Sequence, residues 1–284
     1  MAKIKIITDS GSDLTAEEAK QYNIDVLPYL LHIDGKEYRT GIDITSKEFY
    51  EVLKNCKELP STSQVATEEM INTFRKYTSE GYEILMITIS SRATGAYNSA
   101  QLARNMILEE NPEAVIEILD SQRFAYIIAY AAIHAAKLAE EGKDMETIKK
   151  AVLELMDSYD VYVAAQSLKY LEKGGRINKA SRVMGNVLDI RPMLSIRNGL
   201  MEAIGTIRGS KKIVSKLVKK VEESGYDQTG KTLLIVNADM SQEAEEMKAL
   251  LEEKFAPKEV LIRDVGPTIA THIGPVIAVF FTIK

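Results

Sequence analysis

The sequence has little of the chemistry that metal sites, disulfides and nucleic-acid surfaces require. It contains one cysteine, Cys56, and three histidines, His32, His134 and His272, among 284 residues. A single cysteine excludes an internal disulfide and a cysteine-rich metal site, and three scattered histidines argue against a zinc centre. The net charge of −5 and the lack of a long lysine or arginine run argue against nucleic-acid binding. We therefore expect neither a metal nor a nucleic-acid partner.

Long apolar runs are missing as well. The most apolar segment, FAYIIAYAAIHAAKLA, is interrupted by His134 and Lys137 and is shorter than a membrane span. The apolar run near the start of the sequence is too short for a signal peptide. Hydrophobic residues make up 45% of the chain and charged residues 27%, which is typical of a globular protein with a substantial core. These features predict a cytoplasmic protein that is not embedded in a membrane.

The alternation of apolar runs and helical patterns predicts the fold. In the first half, the runs KIKIIT, EILMITI and AVIEIL are each followed by a helical pattern, as in a parallel sheet with helices on both faces. The helices after the last two runs should extend roughly from Ala93 to Glu110 and from Gln122 to Glu141. In the second half, MLSI and LMEAIG flank residues 197–199 like the strands of a hairpin, so that sheet should be mixed. We predict two α/β domains, a Rossmann-like one at residues 1–158 and a mixed-sheet one at residues 159–284. The ligand should lie between them.

A nucleotide-binding motif occurs in the wrong context. The segment GYDQTGKT, residues 225–232, matches the phosphate-loop pattern GxxxxGK[ST] letter for letter. That loop needs a strand before it and a helix after it, so that helix amides contact the phosphates. Here the predicted order is reversed. We interpret the segment as a helix-to-strand turn, which leaves the chain without a recognisable nucleotide site.

Two hydroxyl-rich turns are the strongest candidates for a binding site. One is Ser61-Thr62-Ser63, and the other contains Ser90, Ser91 and Thr94 after a predicted strand. Helix capping would explain one hydroxyl in each turn, and ligand binding is the alternative. Because ligands of open α/β sheets bind beyond the carboxyl ends of the strands, we expect the turns to face each other across a cleft. Hydroxyl and backbone donors there suit a small anionic group.

Together with two glycine-rich segments, these turns resemble the DegV family of fatty-acid-binding proteins, which includes the lipid-carrying subunit of bacterial fatty acid kinase. The resemblance runs nearly end to end and rests on ITDSGSDL, PSTSQ, ISSRATGAYNSA, LKYLEKGGRI and GPTIATHIGPVIAV. It implies a non-catalytic protein that binds a long-chain fatty acid such as palmitate, stearate or oleate. A separate ATP-binding kinase subunit would convert the bound acid to acyl phosphate for phospholipid metabolism. No cofactor is implied.

The resemblance also implies roles for particular residues. Thr62 and Thr94 match the hydroxyls that bind the carboxylate, and Ser63 and Ser91 are neighbouring candidates. At position 94 the family usually has serine, so the hydroxyl is kept and a methyl group is added. Further candidates are Arg208 and His272, which would support phosphoryl transfer or the head group, and Arg176, Lys211 and Lys212, which would contact the kinase subunit.

Two other classes of function stay open on the residues alone. The first is an enzyme, a hydrolase or transferase, acting on a small anionic substrate in the same cleft. The chain has no GxSxG nucleophile motif, which argues against the commonest form of serine hydrolase. The second is a sensor of a polar metabolite, from which charged or sugar-like ligands would displace the bound molecule.

Overall fold

The computed structural model describes residues 3–167, 169–177 and 190–284. The strands in these ranges are β1 Lys3–Asp9, β2 Asp25–Leu27, β3 Leu30–Ile33, β4 Lys36–Arg39, β5 Ser61–Ser63, β6 Tyr82–Thr88, β7 Ile116–Asp120, β8 Tyr159–Ala165, β9 Ile190–Arg197, β10 Leu200–Arg208, β11 Thr232–Ala238, β12 Glu259–Asp264 and β13 Val276–Thr282. The helices are α1 Ala16–Gln21, α2 Ser46–Asn55, α3 Thr67–Ser79, α4 Ala96–Glu110, α5 Tyr126–Glu140, α6 Met145–Asp157, α7 Lys169–Gly174, α8 Ile213–Glu223, α9 Ser241–Phe255 and α10 Pro267–Ile273.

The N-terminal half, residues 3–158, is built on a parallel four-stranded sheet. Its strand order is β2-β1-β6-β7, and every pairing is parallel. The central strands β1 and β6 each have five consecutive buried residues, because helices cover both faces of the sheet. The continuous apolar runs in the sequence predicted this arrangement.

The C-terminal half, residues 159–284, is built on a mixed six-stranded sheet with the order β10-β9-β8-β13-β11-β12. Among the described strands of this sheet, only β11 and β12 pair in parallel. One face packs on α8 and α9, and the other belongs to the large core shared with the N-terminal half. Alternation along β13 shows this division, since Phe280 lies in the shared core and Phe281 faces the helices. The two sheets confirm the predicted α/β fold class, and the predicted domain boundary falls in the connection between α6 and β8.

The predicted hairpin in the mixed sheet forms the contact between the two halves near the candidate site. The turn residues between β9 and β10, Asn198 and Gly199, have φ values of 49° and 71°, as a two-residue hairpin turn requires. The Ser90 hydroxyl donates a 2.7 Å hydrogen bond to the carbonyl oxygen of Gly199. A Cβ atom on Gly199 would lie 2.4 Å from that hydroxyl oxygen, so the close approach also requires glycine.

A small third sheet corrects one prediction. Ser61-Thr62-Ser63 is not a turn but the strand β5, which pairs with β3 in the order β4-β3-β5. Hydrogen bonding to β3 fixes these residues as a strand, and alternation then turns Thr62 to one face and its two neighbours to the other. Neither Thr62 nor Ser63 caps α3, since the residue before that helix is Ala66 and no side chain bonds its first turn.

The segment that matches the phosphate-loop motif lies between a helix and a strand in the order that the sequence predicted. Residues 224–231, which contain most of the phosphate-loop motif, connect the end of α8 to the start of β11, so the helix precedes and the strand follows. Within the parts of the chain that the structure describes, no helix is long and apolar enough to span a bilayer.

Candidate functional site

A cavity of about 180 Å³ lies between the two halves of the chain. Both halves contribute to its wall, and polar and apolar side chains are mixed in it. The lining residues are Tyr29, Thr62, Gln64, Ile89, Ala93, Thr94, Gly95, Phe124, Leu171, Arg176, Met201, Thr268, Ile269, His272 and Ile273. Thr62 and Thr94 therefore share one cavity although they lie on separate segments.

Thr62 enters the cavity through strand alternation and is paired with a histidine from the other half. Its Oγ1 lies 2.8 Å from Nε2 of His272, which is on α10. Burial, reinforced by the charge of Arg176, lowers the pKa of His272 to about 4, so the imidazole is neutral near pH 7. A Cβ atom on Gly174 would lie 2.9 Å from Nδ1 of His272, so glycine in the GGR segment makes room for the ring.

Thr94 lies in the loop between β6 and α4, and its hydroxyl oxygen already accepts two hydrogen bonds. The Tyr29 hydroxyl donates one at 3.1 Å, and the backbone N–H of Ala96 donates a longer one at 3.4 Å. Tyr29 is only 3% exposed. Burial, together with the charge of Asp9, raises the pKa of Tyr29 well above its ordinary value, so the phenol keeps its proton.

Arg176 brings a positive charge to the cavity. It is half-buried, its Nε donates a 3.0 Å hydrogen bond to the carbonyl oxygen of Ala93, and its Nη1 donates to the carbonyl oxygen of Gly174. The sequence predicted it as a partner contact, and the structure places it in the cavity wall. Arg208, predicted near the head group, is exposed at the end of β10 and is not part of the lining. Lys211 and Lys212 are exposed in the short 3-10 turn that follows it.

The other two predicted hydroxyls lie outside the cavity lining. Ser63 faces the opposite side of β5 from Thr62, and its Oγ lies 2.8 Å from Nε2 of His32. The Ser91 hydroxyl donates a 2.6 Å hydrogen bond to the carboxylate of Asp120. Each of these serines already has a hydrogen-bond partner away from Thr62 and Thr94.

Sequence reasoning missed three polar residues of the lining. Gln64 belongs to the TSQ segment, which was a usable signal, and its Nε2 donates a 2.6 Å hydrogen bond to Ser99. Thr268 lies in the GPTIATHIGPVIAV segment, which was a similar signal. Tyr29 belongs to none of the motifs and reaches the cavity only through the fold. Thr268 is buried and its hydroxyl donates to Oγ1 of Thr40 at 3.0 Å.

An apolar space adjoins the polar cavity. It measures about 20 Å³, and its lining side chains in the described ranges are all apolar. Four of them also line the larger cavity, namely Phe124, Met201, Ile269 and Ile273. The others come mainly from β8, β11 and β13 and are Ala125, Val161, Val163, Ile196, Val236, Val265, Val276, Ala278 and Phe280. The site therefore has a polar end and an apolar end.

The buried acid Asp9 has structural hydrogen-bond partners. Asp9 accepts hydrogen bonds from the backbone N–H groups of Gly11 at 2.9 Å and Ile89 at 3.0 Å. Asp9 therefore stabilises the turn that follows β1. Among residues 3–167, 169–177 and 190–284, no group of three or more histidine, cysteine or acidic side chains is arranged to hold a metal.

Comparison with known proteins gives one family. The family model described as an uncharacterised protein of the DegV family matches residues 3–284. A DegV domain-containing protein of Clostridium acetobutylicum is 34% identical over 273 residues, which cover 96% of this chain and 94% of the relative. A fatty-acid-binding DegV family protein of Streptococcus agalactiae has a similar structure, with 27% identity, 100% coverage of both chains and a TM-score of 0.88. A stearic-acid-binding protein of Eubacterium ventriosum is 26% identical, with 99% and 98% coverage and a TM-score of 0.86. On the match over nearly its whole length, this chain belongs to the DegV family.

Proposed function

We propose that this protein binds one long-chain fatty acid, with the carboxylate at the polar end of the site and the acyl chain directed into the apolar end. The observation that carries the proposal is that Thr62 and Thr94 line one cavity, and that an adjoining space lined in the described ranges by apolar side chains shares four of its lining residues. Related proteins described as binding fatty acids, one of them stearic acid, support it.

The chemistry of the polar end suits a carboxylate beside an apolar tail. A buried carboxylate is costly unless hydrogen bonds replace its hydration. Thr94 has its own hydroxyl proton available, because its oxygen accepts from Tyr29 and Ala96. Thr62 has the same property in the His272 tautomer that carries its proton on Nε2. Arg176 adds a positive charge in the cavity wall and strengthens the field felt by the anion.

The apolar end suits an acyl chain but requires movement of side chains. Ligand pockets for molecules of this size commonly measure about 300–1,000 Å³, whereas the two spaces here measure about 180 and 20 Å³. A long acyl chain therefore has to displace the four shared residues, Phe124, Met201, Ile269 and Ile273. All four side chains are apolar, so their displacement involves rotamer changes and not broken hydrogen bonds.

The finer role follows from the family resemblance. We propose that the protein is a cytoplasmic, non-catalytic subunit that presents the fatty acid to an ATP-dependent kinase, which forms acyl phosphate for phospholipid metabolism. Hydroxyl donors leave a carboxylate oxygen accessible for phosphorylation. Arg208, Lys211 and Lys212 are exposed on one continuous segment and are suited to contact an acidic or phosphate-bearing partner. Charge that develops during the transfer would be stabilised by Arg176 and His272.

Native mass spectrometry of protein purified from cells tests the binding proposal. We expect the wild-type chain to carry a species of fatty-acid mass and the Thr62→Ala/Thr94→Ala variant to carry much less of it. A matched control is Thr73→Ala/Thr78→Ala, which removes two hydroxyls that bond only carbonyl oxygens of α3. Equal occupancy in both variants, or turnover of a small soluble anion by the isolated wild-type chain, would favour the enzyme alternative.

A further inference from the structure

We propose that Tyr29 is a positioning residue that makes Thr94 a dedicated hydrogen-bond donor, and that it thereby selects a carboxylate over a neutral head group. The proposal rests on the fatty-acid-binding function and assigns one of its specificity determinants. Tyr29 lines the cavity and acts through Thr94, to which its hydroxyl donates at 3.1 Å.

Counting donors and acceptors at Thr94 gives the direction of its remaining bond. A hydroxyl has one proton and two lone pairs. The oxygen of Thr94 accepts from the Tyr29 hydroxyl at 3.1 Å and from the Ala96 amide at 3.4 Å, which uses both lone pairs. The Thr94 proton is then the group left to bond a ligand, and only an acceptor atom can use it.

The backbone of Tyr29 is held firmly, which places its hydroxyl beside Thr94 before a ligand arrives. Its backbone N–H donates to the hydroxyls of Ser10 at 3.0 Å and Thr40 at 3.1 Å. Its carbonyl oxygen accepts from the backbone N–H of Thr40 at 2.9 Å. Thr268, from the C-terminal half, donates to Thr40 at 3.0 Å and so ties this group to α10. Buried hydrogen bonds from both halves therefore hold the Tyr29 backbone, and the burial of its ring restricts where the hydroxyl can lie.

The fixed direction discriminates between head groups that share one acyl chain. A carboxylate offers only acceptors and can use every donor at the polar end, including Thr94, Thr62 and Arg176. A fatty alcohol brings a proton of its own, and Thr94 has no lone pair left for it. An unpaired buried donor costs binding energy, so the alcohol is penalised. Removing the Tyr29 hydroxyl would return a lone pair to Thr94 and reduce that penalty.

The test compares the dissociation constants of oleate and oleyl alcohol, which have the same chain, in wild type and Tyr29→Phe. We expect Tyr29→Phe to weaken oleate binding on the order of five-fold, and the preference for oleate over the alcohol to fall about ten-fold. The control Tyr159→Phe removes another buried hydroxyl, which donates to the carbonyl oxygen of Thr232 at 2.8 Å far along the chain. It should leave the preference unchanged. Thermal denaturation of each variant shows whether the fold is retained.

A second arm shows whether Tyr29 acts through Thr94. In a Thr94→Val background, adding Tyr29→Phe should produce no further change in the preference for oleate. A preference that is unchanged in Tyr29→Phe alone, or an effect of equal size in the Thr94→Val background, would overturn the proposal. A wild-type chain that does not bind oleate at all would refute the fatty-acid function itself, so the two failures are distinguishable.

Discussion

The polar and apolar ends of the site are built by opposite means. The polar end takes single side chains from a short strand, three loops and a helix, and each has a particular partner, as Thr62 has His272 and Thr94 has Tyr29. The apolar end takes alternate residues of regular strands, such as Val161 and Val163 on β8. The first depends on hydrogen-bond direction and the second on volume. Changes at the two ends should therefore affect different measurements.

The largest expected effect is on stability at the apolar end. Phe280→Ala removes a side chain that is 3% exposed from the shared core and should lower the free energy of unfolding by about 3–5 kcal/mol. A saturating fatty acid should restore part of this loss in urea unfolding, because the acyl chain fills the new space. Phe281→Ala is the matched control, since that ring is 0% exposed but faces α8 and α9. Equal rescue of both variants would contradict the assigned apolar end.

At the polar end the largest expected effect is on affinity. Arg176→Met should weaken binding of a fatty acid anion by about ten- to one-hundred-fold, because a charge-assisted interaction in the cavity wall is lost. Binding of the corresponding methyl ester should change much less. Arg208→Met removes the same charge from an exposed residue outside the lining and should leave affinity unchanged in isothermal titration calorimetry. A loss with Arg208→Met and none with Arg176→Met would restore the assignment made from sequence.

Titration should distinguish the polar end by its pH dependence. The pKa of His272 is lowered to about 4 by burial and by Arg176, so below pH 6.5 the unfolded chain takes up a proton that the folded chain does not. Stability should therefore fall as pH decreases from 6.5 to 4, and His272→Gln should remove that part of the loss.

The buried acid Asp9 should have the opposite effect on stability. Burial raises the pKa of Asp9 to about 7, so stability should be lost as pH rises from about 4 to 7. Urea unfolding of wild type, His272→Gln and Asp9→Asn between pH 4 and 7 separates the contributions of the two residues. Identical profiles for wild type and His272→Gln would contradict the prediction for His272.

The smallest expected effect concerns the two faces of β5. Ser63→Ala changes an exposed hydroxyl that bonds His32, so fatty acid affinity should stay within about two-fold of wild type and stability within about 0.5 kcal/mol. Thr62→Ala, one residue earlier on the inward face, should weaken binding. The pair is measured by competition with a fluorescent fatty acid. Loss of ligand in Ser63→Ala would place that hydroxyl at the head group after all.

The strands and helices were predictable because the periodicity of apolar residues indicates them. The starts of two helices near the site were nevertheless predicted too early. The sequence predicted helices from Ala93 and Gln122, whereas α4 begins at Ala96 and α5 at Tyr126. The residues left over form cavity wall, among them Thr94 and Phe124. At the start of α5, Ala125 has a φ of 64°, a conformation that an alanine in a sequence does not reveal.

The two arginines Arg176 and Arg208 show why the other residues of the site could not be predicted from the sequence. Arg176 follows two glycines, and Arg208 is the last residue of β10. A motif match favoured Arg208 for the head group. What separates them is that Arg176 folds back to bond Ala93 in the other half of the chain. A contact between residues 83 positions apart has no signature in local pattern.

By itself the sequence determined the α/β class, the parallel and mixed sheets, and the threonines Thr62 and Thr94 as candidates, because side-chain periodicity and short motifs act within a few residues. The tertiary structure decided which way each hydroxyl points, which arginine enters the cavity, and that a tyrosine completes the polar end. Those outcomes depend on hydrogen bonds and burial between segments far apart in the chain, which exist only once the two halves pack together.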